Sequence, residues 1–208
     1  SECTPCPDGQ YTRTNFEGDA TKHDNSDDCF PPPIINNIVP NNQTNKGNIL
    51  TTFTGTNFGV DSNSLLTITT NGYSWTNVQR IGSTTVTAIS PLGVGARITV
   101  LMNADGVDSQ TNTVTFSYER PNITEVFSPP FKGGTVRIFG TGFGNSLADI
   151  GTIFIFDANG CGAECTDPET PEEGEILCQY GETGKSDLKL DITVLIGGQV
   201  SSRGHFKY

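Results

Sequence analysis

The sequence is short of charge, of helix formers and of long apolar runs. Of 208 residues only 17% are charged and 34% hydrophobic, with a single methionine and a single tryptophan. No long stretch repeats apolar residues at three- and four-residue spacing, so long amphipathic helices are not expected. No run of 18 apolar residues occurs, so no helical membrane insertion is expected. Basic residues are the scarcer sign, 12 Lys and Arg against 23 Asp and Glu, for a formal net charge of −11. Nucleic-acid binding needs a basic stripe that displaces counterions, so that partner is excluded. Only two histidines are present, His23 and His205, and neither has a recognisable serine or cysteine nucleophile beside it. Paired carboxylates fall only in stretches that read as flexible acidic loops. No enzyme and no cofactor is expected. A secretory leader is lacking as well, and the opening Ser1-Glu2-Cys3 suits a mature or excised product.

Turn formers and threonine fill the gap. There are 24 glycines and 12 prolines. β-Branched threonine suits a pleated surface, and Gly, Pro and Asn punctuate it, so strands and turns are expected. Six cysteines fall three at each end: Cys3, Cys6 and Cys29, then Cys161, Cys165 and Cys178. Two N-glycosylation sequons stand at Asn42-Gln43-Thr44 and Asn122-Ile123-Thr124. Clustered cysteines, sequons and low charge together favour an oxidising, extracellular or cell-surface setting.

Three segments follow: residues 1–30, polar and cysteine-bearing, then 31–119 and 120–208. Pro31-Pro32-Pro33 reads as a stiff spacer after the first. The two later segments repeat one another. Each opens on a proline and an aliphatic strand, Pro33-Ile34-Ile35 or Pro121-Asn122-Ile123. Each continues through a Lys-Gly turn at Lys46-Gly47 or Lys132-Gly133. Each then reaches a glycine-aromatic turn, Gly55-Thr56-Asn57-Phe58-Gly59 or Gly140-Thr141-Gly142-Phe143-Gly144, and closes on a strand ending at Tyr118 or Tyr208. Gly55 and Gly59 allow positive φ, and the phenylalanine between them can turn back to cap a core. A phosphate cradle is the rival reading of the second turn, but no lysine or helix follows to complete it.

Strand assignments rest on period two. Leu188, Leu190, Ile192, Val194 and Ile196 alternate with Lys189, Asp191, Thr193 and Leu195; Ile98, Val100 and Met102 alternate likewise, as do Val136 and Ile138. Faces of this kind are buried by packing two sheets together. The expected fold is all-β: two tandem immunoglobulin-like β-sandwiches behind a small cysteine-rich segment.

The paired starts, the Gly133-Gly134 turn and the Gly-Thr-x-Phe-Gly turn of both copies resemble the IPT/TIG family, the immunoglobulin-like fold of plexins and some transcription factors. The resemblance covers roughly residues 32–208 and implies a binding, spacing or dimerising module. It also implies a disulfide from the loop after the third strand to the following strand, Cys161–Cys178. The first copy has Tyr73 and the neighbourhood of Ala88 at those places, so apolar packing replaces the bridge there. Residues around Cys3-x-x-Cys6-Pro resemble part of the cysteine-rich repeats of ephrin receptors and protist surface proteins, which implies Cys6–Cys29. Cys3–Cys29 with Cys6 left over is the alternative. On the first pairing the odd thiols are Cys3 and Cys165, joined within one chain or between two. Cys165 then lies in a long acidic loop with Glu164, Asp167, Glu169, Glu172, Glu173 and Glu175.

No metal centre is expected. The nearest to one is Asp24, Asp27 and Asp28, whose close-spaced oxygens suit calcium; the competing reading is a solvated loop beside Cys29, since EF-hand spacing is absent. Trp75 and Tyr73 admit a sugar platform or, more simply, packing of Trp75 into the first sandwich. Three functions follow: a protein–protein contact module for adhesion, recognition or spacing; a fibre subunit joined head to tail, a homo-oligomer or filament; and a carbohydrate-binding accessory domain. The partners expected are other proteins, copies of this chain among them.

Overall fold

The computed structural model describes residues 10–12, 29–59, 65–110, 114–129, 132–181 and 188–207. The chain divides into two compact units: Ser1–Asn41 with Gly47–Pro91 and Arg97–Phe116, and Asn42–Lys46 with Leu92–Ala96 and Ser117–Tyr208. Among the described residues, apart from one short 3-10 turn at Leu147–Asp149, the regular elements are strands. Strands β1 (Tyr11–Thr12) and β2 (Cys29–Phe30) form a two-stranded antiparallel ladder in which Thr12 faces Cys29. Cys3, Cys6, His23, Asp24, Asp27 and Asp28 lie outside the described residues.

Ten strands follow up to Tyr118: β3 (Ile34–Val39), β4 (Asn42–Gln43), β5 (Leu50–Thr56), β6 (Leu66–Thr70), β7 (Tyr73–Ser74), β8 (Thr76–Gly82), β9 (Thr85–Ile89), β10 (Ile98–Ala104), β11 (Val107–Asp108) and β12 (Thr115–Tyr118). They form two sheets, β3-β5-β9-β8 and β4-β12-β10-β6-β7, with β11 paired to β10. The alternation read from the sequence decides the faces. Phe53 and Val86 point inward from one sheet, and Ile68, Val100, Met102 and Phe116 from the other, each 0–1% exposed. Pro31-Pro32-Pro33 is not a free spacer. Pro32 and Pro33 are buried, and their carbonyls accept hydrogen bonds from Asn57 Nδ2 (3.2 Å) and the Gln110 amide (3.1 Å). A proline has no N–H to satisfy, and its carbonyl can still anchor a neighbouring loop.

Eight more strands run to the end: β13 (Asn122–Phe127), β14 (Gly134–Thr141), β15 (Ile150–Phe156), β16 (Gly162–Glu169), β17 (Glu175–Tyr180), β18 (Lys189–Ile196), β19 (Gln199–Val200) and β20 (Gly204–Lys207). Their order is β13-β14-β17-β16-β15-β18-β19, with β20 paired to β18. Strand β16 is the corner. Its first half, Gly162 to Cys165, pairs with β15, and its second half, Thr166 and Glu169, pairs with β17. The bend falls at Asp167, whose φ is +50°, a left-handed value that Asp tolerates. This strand replaces the first part of the expected acidic loop. Its sequence is weak in β formers, and pairing on both sides supplies what propensity does not. Glu175, expected in the same loop, opens β17 and is buried; Arg137 Nε donates to its Oε1 at 2.8 Å.

Both copies keep the glycine-aromatic turn, for a different reason at its first glycine. Gly55 does not adopt positive φ. A Cβ there would overlap the Ile34 carbonyl oxygen, and one at Gly140 would overlap that of Asn122. The left-handed positions are Asn57 (φ +63°) and Gly59 (φ +90°), then Gly142 (φ +76°) and Gly144 (φ +82°). Phe58 and Phe143 fold back as expected and are 0% and 4% exposed.

The disulfide differs from expectation. Cys178 is bonded to Cys165, not to Cys161, with the two Cα atoms 5.6 Å apart. Cys165 faces Ile153 on β15 and shares its inward side, so its sulfur meets Cys178 inside the core, where the two residues are 2% and 0% exposed. Cys161 lies four residues before Cys165, about 13 Å along an extended chain, in the turn between β15 and β16 rather than on the ladder to β17. The bridge also removes the expected Cys3–Cys165 pairing. The first copy fills the same place by packing. Thr76 faces Ile89 as Thr166 faces Gln179, which puts Trp75 where Cys165 stands and Ala88 where Cys178 stands. Trp75 is 4% exposed and meets Phe53 and Phe116 edge-on at 5.0 and 5.3 Å, while its Nε1 donates to Thr70 Oγ1 at 3.3 Å. The indole is core, so it offers no sugar platform.

A bridge spanning 13 residues restrains the unfolded chain by about 3 kcal/mol. Replacing Cys165 and Cys178 together by Ala is expected to lower unfolding free energy by about that amount in urea titration. Cys161→Ser is expected to change it by less than about 0.5 kcal/mol.

Candidate functional site

Cys161 is a free, exposed thiol in the turn between β15 and β16. Asp157 ties this turn. Its Oδ1 accepts from the amides of Asn159 (2.8 Å) and Cys161 (3.0 Å), and its own amide donates to the Cys161 carbonyl (2.9 Å). The backbone of the turn is thereby held while the thiol points away from the core.

Both sequons lie on exposed strand positions. Asn42 and Thr44 are exposed on either side of buried Gln43, and Asn122 and Thr124 on either side of buried Ile123. The period of two puts asparagine and threonine of each sequon on one outward side.

The outward side of the β16-β15-β18-β20 sheet carries a row of interacting groups that the sequence reading did not assemble. Phe154 faces Glu164 and Thr193 across the ladder, and Phe156 faces Gly162 and Asp191. Asp191 in turn faces His205, and Lys189 faces Lys207. Phe154 and Phe156 are stacked, centroids 6.0 Å apart and planes 26° apart. Arg203 lies over Phe156, its Cζ 5.4 Å from the ring centroid. Its Nη1 reaches Asp191 Oδ2 at 3.5 Å, and His205 Nδ1 is 2.6 Å from Asp191 Oδ1. His205 is exposed and stands beside the Asp191 carboxylate on the neighbouring strand. The cluster lies on an open strand face, where it can hold a partner by stacking, hydrogen bonds and charge. One sequence signal pointed here. Ile153-Phe154-Ile155-Phe156 is apolar on both sides of its strand, the mark of a strand covered on both faces.

Among the described residues no cluster of His, Cys, Asp and Glu is arranged to hold a metal ion. No described helix is long and apolar enough to cross a membrane.

Residues 33–118, the first of the two copies, match the family model of the IPT/TIG domain. No curated protein matches the chain. Among solved structures, the chain is similar to the surface glycan-binding protein PbSGBP-B from Prevotella bryantii, at a TM-score of 0.56 and 16% identity over 85% of this chain and 42% of that one. It is also similar to the Yersinia pseudotuberculosis adhesin InvE (TM-score 0.45, 11% identity, 82% of this chain and 57% of that one). A third is the extracellular region of plexin A4 (TM-score 0.37, 16% identity, 79% of this chain and 14% of that one). The chain thus spans less than two thirds of each of these structures. At such identities the shared property is the fold, and the first of the three carries that likeness.

The thiols differ sharply in access. Alkylation of the native chain is expected to label Cys161 and to leave Cys165 and Cys178 unmodified until the protein is unfolded and reduced, as read by peptide mass spectrometry.

Proposed function

We propose that the chain is a non-enzymatic contact module of the cell surface or extracellular space, in which both copies, 31–119 and 120–208, act as IPT/TIG domains behind the cysteine-rich segment 1–30. The observation that carries this reading is the outward face of β15, β18 and β20, where aromatic and charged groups are displayed on an open sheet. Such a surface suits recognition of another protein, since flat interfaces draw on aromatic and arginine anchors. The buried Cys165–Cys178 bridge fits an oxidising compartment. The exposed sequons at Asn42 and Asn122 fit glycosylation there. Cys6–Cys29 belongs to the same reading, with β1 and β2 as the ladder beside it.

A specific observation favours a second reading, a fibre subunit linked head to tail. Cys161 is exposed and free. Three cysteines precede residue 30, an odd number, so pairing among them leaves one over. A bond from that thiol to Cys161 of the next copy is heterologous and would propagate. The carbohydrate reading keeps exposed Tyr73 but loses Trp75, which is buried.

Beads coated with the glycosylated chain are expected to cluster with one another or to bind intact cells, and protease treatment of the cells is expected to abolish the latter. Coated beads that do neither would overturn the contact reading. For the fibre, non-reducing electrophoresis is expected to show a ladder that reductant collapses and Cys161→Ser abolishes. A monomeric band from wild type sinks the crosslinked fibre.

A further inference from the structure

Asparagine stands directly before glycine twice in the sequence, at Asn71-Gly72 and Asn159-Gly160, and both pairs lie in exposed turns between strands. Such a pair carries a latent reaction. The glycine amide nitrogen, unshielded by a Cβ, can attack the Cγ of the asparagine side chain. A nitrogen–Cγ bond forms, the side-chain nitrogen leaves as ammonia with the proton the amide gives up, and a five-membered succinimide results. Water then opens the ring at one of its two carbonyls. One opening gives aspartate. The other gives isoaspartate, in which the main chain runs through the former side chain. Ring closure needs a free amide nitrogen and a peptide that can turn, so the hydrogen bonds of each turn decide which pair reacts.

Crowding does not separate the two pairs. A Cβ added at Gly72 or at Gly160 would meet nothing within 4 Å. Hydrogen bonding does separate them. The Gly160 amide donates to the Asp157 carbonyl at 2.9 Å, so the attacking nitrogen is engaged. Asp157 Oδ1 accepts from the amides of Asn159 (2.8 Å) and Cys161 (3.0 Å), one on each side of that glycine. Turning the Asn159-Gly160 peptide into position for attack breaks these bonds together. The other pair is held far more loosely. Thr70 faces Tyr73, so Asn71 and Gly72 alone make the hairpin turn between β6 and β7. Their φ angles are +47° and +82°, the form that Asn-Gly favours in a two-residue hairpin. Among the described residues no group accepts from the Gly72 amide or binds the Asn71 carboxamide. Strand β7 is two exposed residues at the end of its sheet. Few bonds are lost when such an end opens, and segments of this kind open most readily.

We propose that Asn71 is the chain's site of spontaneous deamidation and isoaspartate formation, and that the Asp157 turn withholds the same reaction from Asn159. The two products differ in effect. Aspartate adds a negative charge and keeps the turn, because Asp also accepts a left-handed φ. Isoaspartate adds a carbon atom to the main chain inside a turn whose length sets the register of the hairpin. Trp75 follows β7 directly. Its amide donates to the Ile68 carbonyl at 2.9 Å, and its Nε1 donates to Thr70 Oγ1 at 3.3 Å. A lengthened turn puts β7 out of step with β6 and pulls on this buried indole. Ageing at one exposed asparagine thereby reaches the core of the first unit.

The test follows both asparagines in one sample. The folded chain is held at physiological temperature and mildly alkaline pH, and peptide mass spectrometry with electron-transfer fragmentation reads aspartate and isoaspartate at each site. Asn71 is expected to convert about tenfold faster than Asn159, or more. In the reduced chain unfolded in urea the two rates are expected to converge, because glycine follows both. Asp157→Ala is expected to raise the Asn159 rate in the folded chain and to leave the Asn71 rate unchanged. Equal rates in the folded wild type, or an Asn71 that stays intact while the unfolded chain converts, overturn the proposal. An Asn159 rate that Asp157→Ala does not raise overturns the role given to Asp157. The isoaspartate-bearing fraction, separated chromatographically, is expected to unfold at lower urea than the Asn71→Asp variant, with Trp75 fluorescence as the readout. That variant carries the same charge without the added atom, so equal midpoints overturn the link to Trp75.

Discussion

A one-residue slip of β15 between β16 and β18 would turn Ile153 and Ile155 to solvent and Phe154 and Phe156 to the core, because strand side chains alternate with a period of two. That register is the constraint on which the second sandwich depends. It puts Cys165 on the inward side opposite Ile153, where Cys178 can reach it. It puts Phe154 on the outward side between Glu164 and Thr193. Core, disulfide and candidate contact face are three consequences of one pairing. The slip is opposed because Ile153, Ile155, Ile192 and Val194, each 0–1% exposed, would lose their burial together.

The two copies meet the same packing problem with different chemistry. Where the second has a sulfur–sulfur bridge, the first has Trp75 edge-on to two phenylalanines, with Ala88 at the place of Cys178. A large side chain opposite a small one fills space as a disulfide does and adds dispersion contacts. It adds no restraint to the unfolded chain, so the two units draw stability from different states of the polypeptide. The glycine-aromatic turn, by contrast, is kept in both. Its first glycine answers a backbone approach, and its phenylalanine closes the end of the core.

Charge on the outward face of β15, β18 and β20 is ordered around one carboxylate. Arg203 lies over Phe156, and Lys189 stands opposite Lys207 farther along the same ladder. Asp191 stands between Arg203 and His205 and pairs with both.

The all-β class, the core-facing residues of β10, β14 and β18 and the burial of Phe58 and Phe143 were legible in the sequence. Each is local: alternation, turn chemistry and repetition report on neighbours a few residues apart. The spacer reading of Pro31-Pro32-Pro33 missed packing that comes from Asn57 and Gln110, far along the chain. Cys161–Cys178 was inferred by resemblance, and the choice of Cys165 turned on a strand whose acidic sequence concealed it. Its pairing with β15 and β17 together, and thus which thiol faced inward, is a property of three strands at once. The same holds for the outward face, where Phe156, Asp191 and His205 come from three strands and Arg203 from the loop before the last of them. Period two says which residues share a side of one strand; only the tertiary register says which strands lie beside it, because hydrogen-bonded pairing is decided by the burial of every face together.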